Sequence, residues 1–403
     1  MNKINFFCLA TVMSLLIFSC NNSNKKESTA PLKQPVQNGT VLDQNVHKLK
    51  KTLSTLKSYD SFPRHIYKDK TNWEFVKVRD WCSGFWPGTL WYAYEASKDE
   101  TILKGAKQFT ESLKQIAYTE ARNHDIGFQI FCSYGNGYRL TGNESYKQVI
   151  LDAADTLATL YNPIVGSIHS WPTRTQYPHN TIIDNMMNLE LLFWAAKNGG
   201  SKSLYDIAEN HAEVTMKYLV RPDSSSYHLG SFNDKTGAFV KGYTHQGYAD
   251  ESMWERGQAW GIYGFAFSYR ETGRKDFLDT AIKLSDKFLQ RLPEDGIPYW
   301  DFDDPKIPNA PKDASAAAIA ACGFLELSTL VDNPQLQDTY FKAGKTLIEI
   351  LSTDAYLSQS ENQALLLHST GNHPKGLEVD EPIIYADYYF MEGLMRLKTL
   401  QKS

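Results

Sequence analysis

The chain has 403 residues, 22% of them charged, and a formal net charge of -4. That length supports a large core, and no basic tract or interleaved basic and aromatic stripe occurs, which speaks against nucleic acid as a partner. No HExxH, paired-cysteine or EF-hand spacing and no P-loop or Rossmann glycine pattern is present, so no catalytic metal and no cofactor is expected.

The N-terminus reads as an address. Lys3 precedes an apolar run, Phe6–Phe18, that is too short to span a bilayer. The run ends in Leu16-Ile17-Phe18-Ser19-Cys20, which resembles a bacterial lipobox. Residues 1–19 are therefore expected to be a lipoprotein signal peptide and Cys20 the lipidated residue; the alternative is an ordinary signal peptide with a chance cysteine. Residues 20–40 are polar and read as a flexible tether. The expected location is the bacterial cell envelope, facing the periplasm, with membrane contact only through the N-terminal lipid.

Residues 41–403 form one domain with no dividing linker, and helix follows helix through it. The expected segments are Val41–Lys57, Gly84–Ser97, Glu100–Tyr118, Asp125–Thr141, Glu144–Tyr161, Ile183–Lys197, Lys202–Leu219, Ser252–Thr272, Lys275–Arg291, Asp313–Leu330, Asn333–Leu351 and Pro382–Leu397. They alternate in character. Segments such as Lys202–Leu219 and Lys275–Arg291 carry an apolar stripe at a 3.6-residue period with charges opposite, as surface helices do. The segments between them are rich in Gly, Ala, Trp, Phe and Met and read as buried. Alternating buried and amphipathic helices predict an all-α fold of two concentric layers, an (α/α)6 barrel. An α-solenoid is the other way to stack such hairpins, but no repeat signature is visible. The interruption at 220–250 predicts a short β-hairpin insertion, with YHLGSF and AFVKGYTH as strands.

Polar residues gather where the buried segments begin. Thr181–Trp194, TIIDNMMNLELLFW, reads as a buried helix with Asp184 near its start. A carboxylate there is paired, hydrogen-bonded or partly protonated. Thr181-x-x-Asp184 also fits a capping signal, so Asp184 is either a cap or a functional acid. His124-Asp125-Ile126-Gly127-Phe128 poses the same choice, and Gly127 in a first turn implies close packing or ligand approach. Arg256-x-x-x-Trp260 places a cation and an indole on one helix face; these are either site residues, or a solvated charge and a core ring. Acids also stand at Asp250, Glu251, Glu255, Asp313, Asp380 and Glu381. In the expected barrel all inner helices run one way, so these starts share one mouth, and its positive helix ends suit an acidic ligand. The 13% aromatic content suits a sugar cleft as well as a core. Of the five cysteines, Cys82, Cys132 and Cys322 follow the tether; the three allow one disulfide and no spacing selects it.

Five blocks together, WCSGFWPGTLW, HDIGF, IIDNMMNLELL, HQGYADESMWERGQAWGIYGFAFSYRETG and EVDEPIIYADYYFMEGL, resemble the unsaturated glucuronyl hydrolases of glycoside hydrolase family 88, in that family's order from Trp81 to Leu394. The resemblance implies an (α/α)6 catalytic domain over 41–403. It implies an enzyme that takes the 4,5-unsaturated glucuronyl residue from the non-reducing end of lyase-generated acidic oligosaccharides by hydrating C4=C5. It also implies Asp184 as general acid and base, supported by Asp125, which holds ring hydroxyls. His124, His228 (in preference to His245), Gln246 (with Gln258 in reserve), Arg256 and Trp260 are implied sugar contacts, Trp81 and Trp86 further stacking candidates, and Lys375 a partner for a sulfate or carboxylate. The Ser-x-Lys pair of members acting on sulfated glycans is not matched in His368–Lys375, which leaves sulfation preference open. Two other readings stand beside it: an unsaturated rhamnogalacturonyl hydrolase of the same fold, and a non-catalytic glycan-binding lipoprotein.

Overall fold

The computed structural model describes residues 40–402 with the exception of 177 and 360. The expected signal peptide, the lipidation site at Cys20 and all of the tether but Thr40 lie outside the described residues. Thr40 and Asp43 form a reciprocal capping box that opens α1, Val41–Thr55.

The helices follow the expected segments. They are α2 Phe85–Ser97, α3 Glu100–Ser112, α4 Ile126–Ile130, α5 Asn136–Thr141, α6 Glu144–Ala158, α7 Leu189–Lys197, α8 Ser203–Tyr218, α9 Glu255–Thr272, α10 Lys275–Arg291, α11 Ala314–Ser328, α12 Pro334–Leu351 and α13 Ile384–Leu400. The odd-even alternation reads directly as layers. α10 buries Phe277, Leu278, Ala281, Leu284, Ser285 and Phe288, one stripe, and turns its charges outward. α11, ASAAAIAACGFLELS, is buried at every residue, and its alanines let neighbouring helices approach closely. The inner layer is α2, α4–α5, α7, α9, α11 and α13. α13 packs on both α11 and α2, which closes the ring and makes the fold the expected (α/α)6 barrel rather than an open solenoid.

Among the described residues, four small antiparallel sheets sit in connections between helices. β1 (Ser61–His65) pairs with β2 (Glu74–Lys77), and β3 (Tyr161–Asn162) with β4 (Ser167–Ile168). The expected hairpin at 220–250 is β6 (Leu229–Phe232) with β7 (Phe239–Tyr243), and β5 (His179–Ile182) adds a third strand to it. β8 (Ser369–Asn372) pairs with β9 (Leu377–Glu381) ahead of α13.

Two segments depart from the expected helices. Thr181 lies in β5, opposite Gly230, not at a helix start. The run Thr181-Ile182-Ile183 is β-branched, and once β6 offers an edge, strand pairing outweighs the helical start. The chain then makes a 3-10 turn, Ile183–Asn188, before α7. Segment 125–141 is interrupted by a π turn, Phe131–Gly135, where Ser133 Oγ donates to the Gln129 carbonyl at 2.6 Å. Such turns are frequent beside functional sites. Cys82, Cys132 and Cys322 are buried free thiols, so no disulfide joins them.

Candidate active site

Asp184 enters the barrel mouth on the first turn of the 3-10 segment. The N-cap there is Ile182, which has no side chain to cap with, and Asp184 Oδ1 is buried without a hydrogen-bond partner. Capping therefore does not explain this acid. Its side chain is 12% exposed. Burial, assisted by Asp125, pushes its pKa up to about 7, against the pull of His124 and Arg256.

Asp125 stands at the N-cap of α4 and likewise makes no capping bond. His124 beside it is buried, with Nδ1 3.2 Å from the Ser170 carbonyl. A carbonyl only accepts, so Nδ1 carries the hydrogen and Nε2 presents its lone pair. Nε2 lies 3.2 Å from Asp125 Oδ1. Burial lowers His124 to about 4 and raises Asp125 to about 7, so the imidazole is neutral and the carboxyl partly protonated at neutral pH.

Asn188 locks the two acids' elements together. Its Oδ1 accepts the Phe128 N–H at 2.9 Å. A Cβ on Gly127 would lie 2.6 Å from Asn188 Cα, so the glycine in that first turn is there for close packing. Asn188 was not singled out by the sequence, where it reads as one more polar residue in IIDNMMNLELL.

His228 joins the site from the turn that leads into β6. Its Nε2 is 3.9 Å from Asp184 Oδ1, and Trp254 lies against its ring at 4.3 Å between centroids. His245, the other histidine considered, is at the rim, with Arg174 at 3.2 Å and Lys375 Nζ at 3.4 Å. Gln246 donates to the Gly371 carbonyl at 3.0 Å and is half-buried at the mouth. Gln258 is fully buried, donating to the carbonyls of Ser224 and Leu284, so the reserve choice has no part in the mouth.

Arg256 is no solvated charge. It is 1% exposed, ion-paired with Asp313 and Glu255, and donates to the Thr370 and Gly371 carbonyls. It thereby holds β8 onto the barrel, between the rings of Trp254 and Tyr385. Asp313 also caps α11, accepting the Ser315 N–H. Asp250 and Asp380 pair with Lys241 and Lys68. Asp184 and Asp125 thus differ from Asp250, Glu255, Asp313 and Asp380, each of which is ion-paired with a lysine or arginine.

The tryptophans divide. Trp81 is half-buried, packs on Tyr385 at 5.1 Å, and retains a partly open ring. Trp86 is fully buried edge-on against Phe109 of α3, on the side away from the barrel interior, so its expected stacking role is corrected to core packing. The Trp260 ring is enclosed by Phe128 and Tyr389; it offers no face, only an Nε1–H without a partner. Trp171, half-buried under Arg174 at 3.7 Å, is a rim aromatic with no periodic signal around it in the sequence. Among the described residues no cluster of three or more His, Cys, Asp or Glu could hold a metal ion.

A family model described as Glycosyl Hydrolase Family 88 matches residues 49–394. The unsaturated glucuronyl hydrolase of Formosa agariphila is 38% identical over 407 residues, covering 99% of this chain and 99% of the relative. The crystal structure of an unsaturated glucuronyl hydrolase specific for heparin superposes with a TM-score of 0.86 at 40% identity, over 90% of this chain and 97% of that one. A mutant of the Streptococcus agalactiae unsaturated glucuronyl hydrolase, complexed with dGlcA-GalNAc6S, gives a TM-score of 0.75 at 31% identity, over 91% and 93% of the two chains.

Proposed function

The chain belongs to glycosyl hydrolase family 88, and on that premise we propose how its own residues remove a 4,5-unsaturated glucuronyl residue from the non-reducing end of an oligosaccharide. C4=C5 and the ring oxygen form a vinyl ether. Protonation at C4 gives an oxocarbenium-like centre at C5, water adds there, the hemiketal opens, and the neighbouring sugar leaves. Asp184 gives the proton to C4 and takes one from the attacking water. The observation that carries this is the state of Asp184: a buried carboxyl with an unpaired oxygen and a pKa near 7, so the acid form is populated at neutral pH.

Asp125 holds ring hydroxyls, and its charge, where ionised, favours the acid form of Asp184. Trp81 supplies a ring face. Gln246 is a donor toward the sugar, while His228 turns its one N–H to Asp184. Arg256 contributes its positive field while anchoring β8. Lys375 and the rim around His245 face the next sugar, where a sulfate or carboxylate would meet them. A glycosaminoglycan-type disaccharide is the substrate this favours, because relatives similar along their whole length include one specific for heparin and one holding dGlcA-GalNAc6S.

The test is the absorbance of the unsaturated uronate during turnover, wild type beside Asp184→Asn. The expected result is decay with wild type and a loss of about 100-fold or more in the variant. An Asp184→Asn protein that still removes the band at the wild-type rate would end the assignment. A panel of glycosaminoglycan-derived and pectin-derived disaccharides then separates glucuronyl from rhamnogalacturonyl specificity.

We also propose that Cys20 carries a lipid that anchors the enzyme to the envelope, facing the periplasm; the Leu16–Cys20 motif and the polar stretch after it support this. Metabolic labelling with a fatty acid, lost in Cys20→Ala, is the expected outcome; label retained by that variant would refute it.

A further inference from the structure

His228 meets Asp184 with one nitrogen and the protein backbone with the other. Its Nδ1 accepts two N–H groups, from His245 at 3.0 Å and from Gln246 at 3.1 Å. A nitrogen that accepts two hydrogen bonds from obligate donors cannot itself carry a proton. The single ring proton therefore sits on Nε2, the atom 3.9 Å from Asp184 Oδ1. The ring is also kept from becoming an imidazolium, since that would place a third hydrogen among the two N–H groups. Asp184, His124, His245, Arg174 and Arg256 are the titratable and charged groups facing it, and the cations among them oppose a second proton.

The two N–H groups exist in that pose because of a tight turn. Thr244 Oγ1 accepts the Gly247 N–H at 2.8 Å, and the N–H groups of residues 245 and 246 between them point the same way. The turn is held at its far side by one side chain. Asp301, fully buried between α10 and α11, takes the Tyr248 N–H at 2.8 Å and the Ser252 hydroxyl at 2.7 Å on Oδ2. Its Oδ1 takes the Asp303 N–H at 2.9 Å. There is no slack: a Cβ on Gly247 would stand 2.6 Å from Thr244 Oγ1 and 3.0 Å from Asp301 Oδ2.

We propose that Asp301 is a positioning residue for the hydration reaction: through the Thr244–Tyr248 turn it fixes His228 as a neutral Nε2–H donor aimed at Asp184. The proposal rests on the assignment of Asp184 as the acid. In the step it serves, Asp184 loses its proton to C4 and becomes a carboxylate in a buried site. The Nε2–H then closes on that carboxylate, and the His228 lone pair is unavailable, so the proton of the attacking water goes to Asp184 and not to His228. Asp301 itself touches no substrate atom in this scheme.

The experiment reads the tautomer and the pH profile. Nitrogen-15 NMR of histidine-labelled full-length protein, with His228 assigned through His228→Gln, is expected to show Nδ1 unprotonated and Nε2 protonated at every pH where the enzyme is active. Asp301→Asn keeps one acceptor oxygen but, whichever way the amide turns, sets its NH2 against a donor, either the Asp303 N–H or the Tyr248 and Ser252 pair. It is expected to mix the His228 tautomers, to lower kcat roughly tenfold with a smaller change in KM, and to move the alkaline limb of kcat/KM up by about 0.5 pH unit, because Asp184 loses the donor that favours its ionised form. The direction is diagnostic: removal of the Asp301 charge alone would move the limb down. Ser252→Ala, which withdraws one donor from Asp301, should give a smaller shift in the same sense and serves if Asp301→Asn does not fold. A wild-type His228 that carries its proton on Nδ1, or that titrates within the active range, overturns the proposal. So does a limb that stays put or moves down in the folded variants. Failure of the Asp184 assignment is separate, since it appears as activity retained in Asp184→Asn with the His228 tautomer intact.

Discussion

Asn188 accepts the backbone N–H of Phe128, and this one bond couples the turn carrying Asp184 to the helix start carrying Asp125. The contact is possible only because Gly127 has no side chain, its would-be Cβ falling 2.6 Å from the Asn188 backbone. Gly127→Ala is expected to force the two elements apart at a cost of about 1–3 kcal/mol in stability. Activity should fall with it, since Asp125 moves with α4. Thermal unfolding and turnover measured together check this; an alanine variant with wild-type values for both would show that the packing yields.

Activity should decline as pH rises through about 7. Asp184 acts as an acid, and its pKa is raised to about 7 by burial and by Asp125. The alkaline limb of kcat/KM reports that group in the free enzyme. A rate that keeps rising to pH 9 would contradict the assignment.

The same acid is expected to cost stability. A carboxyl raised from its ordinary value near 3.8 to about 7 holds its proton in the folded state while the unfolded chain has lost it. Stability from this group is complete below about pH 4, falls as pH rises by about 1.4 kcal/mol per unit at most, and is gone above 7. Asp184→Asn removes that loss. Its thermal midpoint should therefore gain on wild type between pH 4 and 7 and keep a constant lead above. Equal slopes of midpoint against pH for the two proteins would contradict this.

Arg256 holds two backbone carbonyls of β8 and an aspartate at once, a task for a planar fork. Arg256→Lys keeps the charge but not the fork. Amide exchange in Ser369–Asn372 is expected to speed up, and activity to fall roughly tenfold or more. Unchanged exchange in β8 would mean that Arg256 does not anchor it.

Trp81→Ala should raise KM, whereas Trp86→Phe should leave KM alone and cost about 1–3 kcal/mol in stability, because only Trp81 keeps an open ring while Trp86 fills the space against Phe109. Substrate saturation curves separate the two; a raised KM in Trp86→Phe would return that residue to the sugar site.

The sequence by itself determined the layers. Stripe and no-stripe helices alternate because a helix facing solvent on one side and a helix enclosed on all sides need different residues, and that difference is written at a 3.6-residue period. It determined the family as well, because five blocks stand as contiguous words in the family's order, and it offered Asp125, Asp184, His124 and His228 as candidates. What it left open was every choice that depends on a partner distant in the chain. Thr181 looked like a cap until β6 arrived to pair with β5. Trp86 and Trp81 are equally aromatic in WCSGFW, and only the packing of α3 against α2 decides which one is enclosed. The role of Asn188 resides in one contact across 60 residues, and that of Asp301 in contacts across 53 and 49. Local pattern encodes burial; it does not encode which buried polar atom finds a partner, and at this site that remainder separates a structural carboxylate from an acid.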